Sequence, residues 1–101
     1  MKNYTVKKLD RRYSGHKIFK YMVEPVYKAG SLSEMLTVRE RFVSWRDFCW
    51  IAFGPGMECE WAVHLENVKR IGRPKWAWDT EHGYRLYICS DEEMVLFELK
   101  F

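Results

Sequence analysis

The residues of this 101-residue chain whose types could support catalysis or metal binding fall into a few small groups. Asp79 ends one β-rich run, and Glu98-Leu99-Lys100 lies on a later one. An acid followed by E-x-K is the outline of a metal-dependent nuclease, where two carboxylates hold Mg²⁺ and the lysine steadies the attacking water. The solvent-facing alternation of a terminal strand produces the same letters. Cys59 and His64, with Cys49 and Cys89, are zinc-ligand types, but structural zinc draws on closely paired cysteine knuckles, and the chain has none. Three small core side chains and a partly exposed histidine account for them equally well. His16, His64 and His82 have no nucleophile or acid at a compelling spacing, and neither a nucleophile elbow, a zincin helix nor a phosphate-cradling glycine loop is present. The sequence therefore assigns no catalytic residue, no metal and no cofactor.

Binding chemistry is better represented. Residues 1–30 hold eight Lys/Arg against two acids, a net +6, whereas 31–60 carry −2 and 61–101 carry −1, for +3 overall. Within the basic third, Lys7, Lys8, Arg11, Arg12, Lys17 and Lys20 are interleaved with Tyr13 and Tyr21. Cations that neutralise phosphates beside rings that stack bases are how single-stranded nucleic acid is held without sequence preference. An acidic protein surface suits the same patch, and so does no partner at all, as an ordinary solvated hairpin. The second resource is aromatic. Five Trp, six Tyr and six Phe make up 17% of the chain, more than a core of this size needs. Trp50, Trp61, Trp76 and Trp78 are the candidate protein-interface residues, since Trp, Tyr and Arg are the favoured anchors of interfaces.

These side chains require a frame. Residues 3–9 and 17–27 read as an N-terminal β-hairpin with Phe19, Tyr21 and Val23 on one face; Pro25, lacking an N–H, marks the second strand as an edge or a bulge. Ser31 and Glu34 form an S-x-x-E capping box at the start of a helix over 31–53. Met35, Val38, Phe42, Trp45, Cys49 and Ala52 form its apolar stripe, and Trp50 lies off it. Gly54-Pro55 ends that helix, because Gly accepts a left-handed cap and Pro blocks continuation. Residues 57–71 fit strand and helix periodicity alike, with the ends favouring helix. Three β-rich runs, 75–79, 84–90 and 94–101, form a C-terminal meander separated by TEHG and DEE turns. The predicted fold is a single α+β domain over 1–101. It is an antiparallel sheet, an N-terminal hairpin plus a C-terminal three-stranded meander, with one long amphipathic helix packed on it.

No apolar run in MKNYTVKKLDRRYSG resembles a secretory leader, and no stretch approaches the roughly 18 apolar residues of a membrane span. Three cysteines among apolar neighbours read as reduced thiols. A cytoplasmic location is expected. An edge strand and surplus aromatics both favour being covered, so a homo-oligomer is also expected.

At WRDFCWIAFGPG (45–56) and PKWAWDTEHGYRLYICSDEEMVLFELKF (74–101) the chain resembles small uncharacterised proteins encoded by bacteriophages. In these, a tryptophan- and cysteine-bearing stretch ending in FG precedes a W-x-W strand and a closing hairpin. The likeness spans the C-terminal half and transfers no catalytic residue. It implies a small accessory protein in the host cytoplasm that binds and blocks a host or defence protein. The leading expectation is thus a non-enzymatic binding protein, with nucleic-acid binding and a Mg²⁺-dependent nuclease as alternatives.

Overall fold

Period-two runs and one long helical stripe build most of the described residues. The computed structural model describes residues 4–10, 18–26, 32–58, 74–80 and 83–101. In chain order the elements are β1 (Tyr4–Lys8), β2 (Tyr21–Pro25), α1 (Leu32–Phe53), β3 (Met57–Glu58), β4 (Trp76–Asp79), β5 (Arg85–Ile88) and α2 (Asp91–Lys100). The strands form one sheet in the order β1-β2-β5-β4-β3. Four of them pair antiparallel, and the two-residue β3 lies parallel to β4. The fold is α+β.

Register decides which side chains share a face, because directly opposed residues point the same way. The rows Val6–Val23–Leu86–Trp78 and Lys8–Tyr21–Ile88–Trp76 run across one face. On that face Val23, Leu86, Ile88 and Trp76 are buried against Phe42, Trp45, Cys49 and Phe53 of α1 and Met94 and Phe97 of α2. The opposite face holds Lys7, Met22, Tyr87 and Ala77. Of these, Met22, Tyr87 and Ala77 join Phe19 in a second, smaller buried cluster. The central strands are therefore buried on both sides.

The main core is a network of rings. Trp45, 1% exposed, packs edge-on against Tyr4 of β1, with centroids 5.7 Å apart, and against Phe97 of α2 at 5.6 Å. Phe42 and Phe101 complete its surroundings at 6.3 and 6.4 Å. Phe48 adds contacts to Phe53, Phe97 and Phe101. Such edge-to-face pairs contribute about 0.5–1.5 kcal/mol each beyond the area they bury.

The expected helix over 31–53 is present, and Val38, Phe42, Trp45 and Cys49 are its buried stripe. Phe53 takes the last buried place in lieu of Ala52, and Met35 is 55% exposed. The Ser31–Glu34 capping box lies outside the described residues. At the other end Gly54 has φ +85° and its N–H bonds the Trp50 carbonyl at 3.1 Å, the left-handed cap that Gly54-Pro55 implied.

Three expectations are corrected. Residues 94–101 are not a third meander strand: Asp91–Lys100 is a helix, and β4–β5 is a two-stranded hairpin. Asp91, Glu92 and Glu93 fill the first turn and Lys100 the last, which suits the helix dipole. Met94, Phe97 and Phe101 reach the core at helical spacing, while Val95 and Leu99, inward in a strand, are 54% and 80% exposed. Secondly, β2 lies inside the sheet and is no edge. Its ladder to β5 spans only Tyr21–Val23, so Pro25 falls beyond it, opposite Tyr4 of β1. Phe19 precedes β2 and turns to the second cluster rather than joining Tyr21 and Val23. Thirdly, Met57–Glu58 is strand, against the helical preference for 57–71; the remainder of that segment lies outside the described residues.

Truncation of the ring network separates core from surface. Trp45→Ala is expected to cost about 3–5 kcal/mol in urea unfolding, whereas Trp50→Ala, at a 56% exposed position, stays within about 0.5 kcal/mol.

Candidate functional site

On α1, Val43, Arg46, Asp47 and Trp50 follow at helical spacing and line up on successive turns. Opposite them, the alternation of β4 sends Trp76 and Trp78 to the same face of the sheet. Together the six residues enclose a groove of about 200 Å³. Its floor is the Trp76–Trp78 pair, with centroids 5.5 Å apart and planes inclined by 34°. The Arg46 guanidinium lies over the Trp78 ring at 4.6 Å, a cation–π contact that holds a charged group against an apolar surface. Trp50 stands at the rim, more than half exposed, beside the exposed Asp47.

Trp76 is what fixes the floor. Its ring is almost wholly buried, and its Nε1–H donates to the Gly54 carbonyl at 2.7 Å, tying the end of α1 to the sheet. Gly56 lies flat against the same ring: a Cβ there would stand 2.3 Å from Trp76 Cε2. The Gly-Pro-Gly turn thus has two separate needs for glycine, a positive φ at Gly54 and a close approach at Gly56.

Of the four tryptophans expected at an interface, the groove brings together Trp50, Trp76 and Trp78; Trp61 lies outside the described residues. Val43, Arg46 and Asp47 complete it without having been singled out. The spacing of Arg46 and Trp50, four apart on a predicted helix, was the available signal.

Of the basic-aromatic candidates, Lys7, Lys8, Lys20 and Tyr21 are among the described residues. Lys7 and Lys8 are exposed but, as neighbours on β1, face opposite sides of the sheet. Arg11, Arg12, Tyr13 and Lys17 lie outside the described residues. Lys20 and Tyr21 are engaged by Asp91 at the start of α2: the ammonium donates to the carboxylate at 2.9 Å, and the Tyr21 hydroxyl donates to its other oxygen. These bonds, the tyrosine's first, hold the Asp91 carboxyl below its ordinary value, and the same bonds to Asp91 raise Lys20 and Tyr21.

The nuclease geometry is not formed. Glu98 and Lys100 ride α2 rather than a strand, and Asp79 sits across from Arg85 on the hairpin. Among the described residues, no three His, Cys, Asp or Glu side chains converge on a metal position. Cys49 is a core residue whose thiol is pushed up to about 12 by burial, too high for a nucleophile. Burial, with the Glu93 charge, raises Cys89 as well. No described helix is long and apolar enough to cross a membrane.

Two outcomes test this construction. Gly56→Ala forces a methyl into the Trp76 ring and is expected to cost about 1–3 kcal/mol, read as a lower thermal midpoint than that of the wild type. For the Asp91 cluster the signs are fixed by linkage. The lowered Asp91 contributes stability that is full above pH 3.8 and is lost as pH falls through its folded value. The raised Lys20 and Tyr21 contribute stability that is full below pH 10.0 and is lost as pH rises through theirs. Asp91→Asn should flatten both limbs of the urea-midpoint profile against pH.

No protein-family model, curated protein or solved structure matches this chain.

Proposed function

We propose that the protein is a non-enzymatic binding module that receives one large side chain of a partner protein in the tryptophan groove between α1 and β4. The observation that carries this is the groove itself: Trp50 stands exposed over two further tryptophans and a stacked arginine. Its volume of about 200 Å³ falls below the roughly 300–1,000 Å³ of small-molecule pockets and suits a single anchoring residue. Trp and Arg are the residue types on which interface energy concentrates. The phage-like pattern of residues 45–56 and 74–101 supplies a setting, in which the partner is a host or defence protein and binding blocks it. The basic third supports nucleic-acid binding less well, since Lys7 and Lys8 diverge and Lys20 is already paired.

A photo-crosslinking amino acid at position 43, inside the groove, tests the proposal in the cells where the protein acts. One discrete protein adduct, lost on Trp50→Ala and not formed from a crosslinker at exposed position 99, is the expected result. Adducts of equal yield from both positions, or none from position 43, would remove the groove as the binding site.

A further inference from the structure

The chemistry of the groove also specifies the partner's anchor. Arg46 is its unusual member. One face of the guanidinium is covered by Trp78, and Nε is buried with no hydrogen-bond partner. Among the described residues no carboxylate pairs with it. Asp47 follows Arg46 directly on α1, and adjacent helical residues do not face each other. It lines the same groove as an exposed acid, with no ion pair to Arg46. The groove therefore holds a partly desolvated cation to which no carboxylate among the described residues is paired, and a desolvated charge gains most from an opposite one.

Resting on the binding role above, we propose that the anchor is an acidic peptide segment. An Asp or Glu carboxylate of the partner accepts hydrogen bonds from the Arg46 guanidinium, and a neighbouring bulky apolar side chain lies between Trp50 and Trp78. Arginine stacked on a ring keeps its in-plane N–H edge available, the edge that matches a carboxylate's two oxygens. The floor and rim supply apolar surface to the adjoining residue, so acid and hydrophobe are read together.

The test uses the full chain and an array of random 12-residue peptides, followed by solution affinities for the retained ones. The expected peptides place Asp or Glu beside Phe, Trp, Leu or Met and lose binding with Trp50→Ala. Replacing that Glu by Gln in the peptide should weaken binding by roughly ten-fold or more, the range for a hydrogen bond to a charged group. Arg46→Gln should abolish the Glu/Gln difference, and Arg46→Lys should restore part of it. A Lys8→Gln control should leave it intact, separating the groove from the general attraction of a basic chain. Trp50-dependent peptides with no Glu/Gln difference, or a difference that Lys8→Gln removes, would overturn the acidic anchor and leave the groove standing. The absence of any Trp50-dependent peptide would overturn both.

Discussion

Trp45 is the side chain through which the separate parts of this fold meet. A single indole on α1 touches Tyr4 on the outermost strand and both Phe97 and Phe101 at the end of the chain. These residues are far apart in sequence and belong to elements that are short on their own account. β1 has five residues and α2 has ten, lengths at which neither persists in water without tertiary contacts. The ring cluster supplies those contacts for both at once. It also holds α1 against the sheet at the height where Val43, Arg46 and Trp50 overlook β4. The groove is thus a by-product of the packing that makes the domain.

Elements whose signals were redundant were legible in the sequence. The α1 stripe and its Gly54-Pro55 stop agreed, and the period-two runs around Val23, Leu86 and Trp76 located the strands. The C-terminal run was misread because Val95, Phe97, Leu99 and Phe101 alternate as well as any strand. Both periodicities were available in MVLFELKF, and the tie is broken by what precedes it. Ser90-Asp91-Glu92-Glu93 repeats the S-x-x-E sequence form of Ser31–Glu34, and three acids in a first turn favour a helix start. Here Ser90 donates its hydroxyl to the Glu93 carboxylate rather than capping a backbone N–H. Strand position inside the sheet was not legible, because Pro25 excludes an interior ladder only where the ladder reaches it.

The candidate site shows the same division. W-x-W on a strand places two rings on one face, and Trp50 off the helical stripe is an exposed ring; both follow from periodicity alone. That these rings meet depends on the α1–β4 packing, which no local pattern encodes. The basic N-terminal third suggested a continuous patch, yet strand alternation parts Lys7 from Lys8, and Asp91, seventy-one residues from Lys20, neutralises it. The cation in the groove is Arg46, from a segment of net negative charge.

Gly56 and Trp76 constrain how such a protein can change over generations. The glycine has no side chain because the indole occupies its space, and the indole lies flat because the glycine leaves room. A larger residue at one position becomes acceptable only beside a smaller ring at the other, so the two substitutions are strongly epistatic. Since that ring is also the floor of the groove, drift toward a new groove shape through this position would require paired steps. Trp50, Val43 and Asp47, bound by no such complement, are where single substitutions can reshape the groove without disturbing the fold.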